Sequence, residues 1–193
     1  MSRKHSLTRR ECTLEAVIII DMLTEFVSGK LKTERAMRIV PNIKKLIQSA
    51  RDRGVPIIYT NDAHLPVDFE LAKWGKHAMK GTKGAEVIPQ LKPATSDYVL
   101  EKRTYSGFFE TGLHPLLRKL RVDTIVLTGL YANVCLQHTA ADAFFRGYQI
   151  VVPKDATEAA SERELQQGLR YMKRMHDAEI TETDTIVKRW TKA

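Results

Sequence analysis

Apolar residues along this chain fall into two alternating rhythms. Ala16-Val-Ile-Ile-Ile20 is an unbroken branched run, the pattern of a strand buried on both faces in a parallel sheet. After it, Ala36, Ile39, Val40, Ile43, Ile47 and Ala50 recur at helical spacing and Gly54 closes the segment. Val55-Pro-Ile-Ile-Tyr-Thr60 predicts a second strand, with Pro56 tolerated near its start. Residues 61–97 are polar and rich in Pro and Gly, a loop too long to be idle. Tyr98-Val-Leu100 predicts a short strand, and Leu113, Leu116, Leu117 and Leu120 a helix. Thr124-Ile-Val-Leu-Thr128 is a strand ended by Gly129, followed by a helix from Val134 to Phe145. Tyr148-Gln-Ile-Val-Val152 is a fifth strand. Ser161-x-x-Glu164 is a capping box opening a helix that carries Leu165, Leu169 and Met172. A last strand falls at Glu179-Ile180 or at Thr185-Val187. Strand alternating with helix predicts an α/β fold: an open, doubly wound, mostly parallel six-stranded sheet with helices on both faces.

Composition leaves that picture intact. The 193 residues suit one domain with a full core, placed at 14–193 behind a polar, basic tail at 1–13. That tail has no apolar stretch of the kind a secretory leader needs, and no run approaches the ~18 residues of a membrane helix. The expectation is a cytoplasmic protein without a membrane role. The net charge of +8 is dispersed outside the tail, where Arg3, Lys4, Arg9 and Arg10 face only Glu11. A nucleic-acid surface would gather its charge into a stripe with interleaved aromatics, so no nucleic-acid partner is expected. Two cysteines, Cys12 in the tail and Cys135 in an apolar segment, do not suggest a disulfide framework.

Open parallel sheets bind ligands beyond the carboxyl ends of their strands. Asp21 follows the first predicted strand, Asp62 and His64 the second, and Lys102 the third, while Cys135 lies in the turn after the fourth. Any one of these has an ordinary structural explanation. Together they place an acid, a cation, a thiol and a metal-type cluster on one edge of the sheet.

The local motifs around these residues resemble those of the isochorismatase-like hydrolases. Asp21-Met-Leu-Thr-Glu-Phe26 is similar to that family's D-x-Q-x-x-F opening, Lys102-Arg-Thr-Tyr-Ser-Gly-Phe108 to its lysine segment, and Gly129-Leu-Tyr-Ala-Asn-Val-Cys-Leu-Gln-His-Thr-Ala-Ala-Asp142 to its cysteine segment. The resemblance implies the isochorismatase-like hydrolase fold and a catalytic triad of Asp21, Lys102 and Cys135. It implies an oxyanion hole from the backbone N–H groups of Tyr131 and Cys135, and a cis peptide between Leu130 and Tyr131. A thiolate at a helix start beside Lys102, with Asp21 moving protons, would attack a carbon–nitrogen bond and pass through a thioester. Family members that cleave a vinyl ether lack the cysteine. A nicotinamidase-like amidase is therefore expected, with an N-carbamoylsarcosine amidase or another ureido amidohydrolase as the alternative and Arg103 as its candidate for holding a carboxylate.

Asp62-Ala-His64, followed by His77, resembles the D-x-H…H metal site of nicotinamidases, which implies one divalent ion, zinc first, and no organic cofactor. The plainer reading has both histidines hydrogen-bonded in a polar loop. The neighbours depart from the nicotinamidase pattern: Ala63 and Leu65 flank His64, Lys76 and Ala78 flank His77, Leu23 replaces the usual Gln, and Asn133 stands where an acid is common. Phe26, Trp74 and Tyr131 are candidates for the substrate pocket. His114, His138 and His176 fall on predicted helices and read as structural. The expected partner is a small amide, and the resemblance implies a homo-oligomer, a dimer or tetramer.

Overall fold

A computed structural model of the protein describes residues 14–192; the predicted tail and Cys12 lie outside them. The described residues build one sheet from β1 (Glu15–Ile20), β2 (Ile57–Asp62), β3 (Tyr98–Lys102), β4 (Thr124–Leu130), β5 (Gln149–Pro153), β6 (Thr157–Glu158) and β7 (Glu179–Thr181). The order is β3-β2-β1-β4-β5-β7, β6 pairs with the end of β4, and all pairings are parallel. The sequence predicted six strands. The seventh, β6, has two residues, too few to show any periodicity.

β1 explains its own composition. It lies between β2 and β4, with Ile20 paired to both Thr60 and Gly129, and every one of its residues is buried. Its side chains alternate between the two faces. Ala16, Ile18 and Ile20 join a core with Leu127, Leu136, Leu169 and Met172, while Val17 and Ile19 join another with Ile43, Leu46, Tyr59 and Val126. The first core is closed by α4 (Leu113–Lys119), α5 (Cys135–Phe145) and α6 (Glu162–Met175), and the second by α2 (Ala36–Asp52). Short helices α1 (Thr24–Val27) and α3 (Leu71–Trp74) and three 3₁₀ turns lie in the connecting segments.

Two predictions are refined. β2 and β3 run two residues further than their apolar runs, so Asp62 and Lys102 stand on the strands themselves and pair in register. Of the two places offered for the last strand, Glu179–Thr181 is taken, and Thr185–Val187 belongs to helix α7 (Thr183–Lys192). That helix buries Ile186 and Trp190 in the core beneath α2. Among the described residues no helix is long and apolar enough to cross a membrane.

Candidate active site

Close approach of β1 and β4 shapes the site. Gly129 has φ +110°, and a Cβ there would lie 2.1 Å from the Ile20 carbonyl oxygen, so only glycine lets the strands end side by side. Asp21 then turns sharply at φ 52°, a conformation in which Asp is among the better-tolerated residues. Its Oδ1 accepts the Asp62 backbone N–H at 2.8 Å and its Oδ2 lies 2.8 Å from Lys102 Nζ. Lys102 Nζ also pairs with Asp62 Oδ1 and stands 3.6 Å from Cys135 Sγ. All four groups are buried.

Electrostatics follows from that burial. Desolvation, aided by the Asp62 charge, pushes the Asp21 carboxyl up to about 6. Burial would drive Lys102 down, but the carboxylates of Asp21 and Asp62 overcome it and hold the ammonium well above its ordinary value. Cys135 opens α5, where the helix start and Lys102 favour the thiolate. Burial first, then the charges of Asp21 and Asp62, outweigh Lys102 and push the thiol well above its usual range, so Asp21 must take its proton. Removing water costs the charged form more than one shared cation restores. The arrangement can therefore keep a neutral thiol beside a carboxylate able to take its proton near neutral pH.

Beyond β4, the peptide between Leu130 and Tyr131 is cis. The Ala132 N–H is used by the Glu158 carbonyl. Among the described residues the N–H groups of Tyr131 and Cys135 donate to no protein acceptor. Two free amides next to a thiol can bind a developing oxyanion. The turn is pressed from behind by α6, where a Cβ on Gly168 would lie 2.6 Å from the Ala132 carbonyl.

Cys135 and Asp21 open into a cavity of about 380 Å³ lined by Phe26, Trp74, His77 and Tyr131 among others. Phe26 packs edge-on against both Tyr131 and His77, with ring centroids 5.8 and 5.9 Å away. The Tyr131 hydroxyl donates to the Leu31 carbonyl at 2.7 Å, and the Trp74 indole N–H to the Tyr105 hydroxyl at 2.9 Å. Lys30 and Lys32 also line this cavity. Neither was singled out in the sequence, because lysines in a polar loop carry no signal of direction.

Asp62, His64 and His77 converge, joined by Glu70, which the sequence did not reveal; their ligand-type atoms all lie within 4.8 Å of one another. His64 Nε2 and Glu70 Oε2 are buried with no partner within hydrogen-bond distance, and Asp62 Oδ2 faces that nitrogen at 3.7 Å. Unpartnered polar atoms at the centre of a two-histidine, two-carboxylate set are what a divalent cation satisfies, so these residues fit one. No periodicity marks Glu70: it is an acid in a long polar loop. Arg103 does not reach the cavity. It is drawn to Asp68, which accepts from Arg103 Nε at 2.8 Å, and it lines a separate groove of about 860 Å³. His114 accompanies the Tyr148 hydroxyl at 2.9 Å, His138 the Val134 carbonyl at 2.7 Å, and His176 packs against Tyr171.

The Isochorismatase domain family matches residues 15–185 of the chain. The chain belongs to the isochorismatase family. Among relatives of this family, the uncharacterized protein YaaI of Bacillus subtilis is 34% identical over 177 residues, covering 91% of this chain and 97% of its own. The solved N-carbamoylsarcosine amidase of Thermoplasma acidophilum superposes with TM-score 0.84 at 43% identity, covering 88% of this chain and 96% of that one. The pyrazinamidase/nicotinamidase of Streptococcus mutans superposes with TM-score 0.81 at 34% identity, covering 86% and 99%. As an isochorismatase-family protein among nicotinamidases and amidohydrolases, the chain is a hydrolase acting on C–N bonds.

Proposed function

We propose that this isochorismatase-family hydrolase deaminates a small amide, nicotinamide or a close analogue, to the acid and ammonia. One observation carries the reading: Asp21 and Cys135, backed by buried Lys102, line the same cavity as Asp62, Glu70 and His77, whose ligand-type atoms converge with those of His64. In this mechanism ionised Asp21 takes the Cys135 thiol proton as Sγ attacks the amide carbon. Lys102, 3.6 Å from the sulfur, stabilises the negative charge as it forms. The N–H groups of Tyr131 and Cys135 receive the carbonyl oxygen as it becomes an oxyanion. Asp21 returns its proton to the departing nitrogen, the C–N bond breaks and ammonia leaves a Cys135 thioester. Asp21 then deprotonates a water that attacks the thioester, and the released Cys135 sulfur recovers a proton. A divalent ion held by Asp62, His64, Glu70 and His77 would supply a Lewis-acid anchor for a ring nitrogen of the substrate.

A second reading has its own support. Lys30 and Lys32 face the cavity, where an N-carbamoyl amino acid would present a carboxylate, and the 43% identity to an N-carbamoylsarcosine amidase is in its favour. The deciding experiment compares kcat/KM on nicotinamide, pyrazinamide and N-carbamoylsarcosine. A nicotinamide preference is expected. An advantage of more than about a hundredfold for N-carbamoylsarcosine, about 2.7 kcal/mol of differential transition-state binding, establishes the second reading instead.

A further inference from the structure

Asp68 and Arg103 take no part in the mechanism above, yet they form a chain leading from solvent into the metal-type cluster. We propose that Asp68, braced by Arg103, is a positioning residue that fixes His64 in the one tautomer able to bind a metal ion. The proposal rests on the metal reading of the cluster.

Every acceptor of Asp68 is committed. Its Oδ2 meets His64 Nδ1 at 3.2 Å and the Leu65 N–H at 2.8 Å. Its Oδ1 accepts from both Nε and Nη2 of Arg103. A carboxylate gripped at both oxygens, one by the Arg103 guanidinium and the other by the Leu65 N–H, cannot rotate away. An ionised carboxylate only accepts hydrogen bonds. Nδ1 of His64 must therefore carry the hydrogen, so that when a metal ion takes the place of any proton on Nε2 that nitrogen is the one that binds it. Nε2 is buried, has no partner within hydrogen-bond distance, faces Asp62 Oδ2 at 3.7 Å and belongs to the set with Asp62, Glu70 and His77.

His77 obeys the same logic through a different acceptor. Its Nδ1 lies 2.8 Å from the Gly75 carbonyl, which can only accept, so Nδ1 carries a hydrogen and Nε2 is the nitrogen left for a metal ion. The two rings sit 4.5 Å apart at an interplanar angle of 60°. Carboxylate and carbonyl partners of this kind orient ligand histidines and tune their affinity. Arg103 ends at the far side of the device: its side chain is 52% exposed, so it can be altered without opening the core.

The test uses the full chain, stripped of metal and titrated with Co²⁺ and with Zn²⁺. Dissociation constants come from calorimetry, the coordination geometry from the visible bands of bound Co²⁺, and the His64 tautomer from imidazole ¹⁵N shifts. Asp68→Asn keeps the size, but Arg103 donates to Oδ1 and so holds the asparagine oxygen there; the NH2 then replaces Oδ2, gives up the Leu65 N–H and can donate to Nδ1, moving the ring hydrogen to Nε2. It should weaken binding by about ten- to a hundredfold and alter the Co²⁺ bands. Arg103→Gln should weaken binding by about three- to tenfold, and Arg103→Lys should restore most of the loss. Alkylation of Cys135 should proceed at the wild-type rate in all three. Wild-type affinity, bands and tautomer in both Asp68→Asn and Arg103→Gln overturn the proposal while the metal reading stands. A wild-type chain that binds neither ion overturns both. Should Asp68→Asn fail to fold, the Arg103 pair decides alone.

Discussion

At the scale of single residues, the site sets charge against burial. Cys135→Ala should abolish turnover while the protein stays folded, since alanine fills most of the same small buried space; retained kcat would remove the covalent mechanism. Asp21 makes a sharper prediction. Its carboxyl sits at about 6 in the folded protein against an ordinary 3.8, so the native state holds that proton more tightly than the unfolded chain does. The stability this contributes is complete below the ordinary value and is lost as pH rises through about 6. At neutral pH the ionised group is a liability to the fold and a necessity for the reaction. Asp21→Asn should therefore lose activity yet keep or raise the melting temperature, because asparagine tolerates φ 52° and can still accept from the Asp62 N–H. For the wild type, kcat/KM should fall tenfold per pH unit below about 6. A profile flat down to pH 4 would remove Asp21 as the base. Lys102→Ala leaves two buried carboxylates facing each other and should cost about 3–5 kcal/mol of stability, measured by denaturant titration. Asp21, Lys102 and Cys135 were legible because each sits in a recognisable local motif. Glu70 and Asp68 were not: both lie in an aperiodic loop, and their roles exist only through partners distant in sequence.

At the scale of elements, the chemistry was legible wherever apolar runs ended, but three ends were misread: Gly129, taken as a terminator, lies inside β4, which runs to Leu130, and the other two share one reason. Asn61-Asp62 and Glu101-Lys102 are polar, so the strands seemed to stop before them, yet the sheet carries both pairs onward because their neighbours supply ladder partners. Functional strand ends break the local pattern that would announce them. Helix α6 makes a prediction of the same kind. Replacing a helical glycine by alanine ordinarily helps by about 1 kcal/mol. Gly168→Ala should do the reverse, since its Cβ would strike the Ala132 backbone at 2.6 Å. The displaced turn carries the amides of Tyr131 and Cys135, so kcat should fall more than KM rises, which steady-state kinetics on a small amide would reveal. An unchanged kcat would mean the helix yields instead of the turn.

At the scale of the whole molecule, the alternation of strand and helix was enough for the α/β architecture, while the closing helix α7 escaped notice. Its apolar residues, Ile186, Val187 and Trp190, are too few and too close to the chain end to show a helical period. Their destination is nonlocal: Ile186 and Trp190 pack into the core under α2, and the Trp190 indole donates to Glu15 on β1. A chain ending at Glu182 should lose more than about 4 kcal/mol, the scale of removing two large buried side chains. Equilibrium unfolding with urea would check this, and a truncated chain of wild-type stability would make α7 an ornament.

The sheet order also governs how this protein can come into being. Glu15 of the first strand pairs with Thr124 of the fourth, so a ribosome must deliver more than a hundred further residues before the central ladder can close. At about 5–20 residues per second that is a wait of roughly 5–20 s. Through that interval an isoleucine-rich strand has only β2 beside it, and the loop to be closed is long. Nascent chains stalled just before and just after β4 has left the exit tunnel should differ abruptly in protease resistance, and the shorter ones should be clients of chaperones that hold exposed apolar strands.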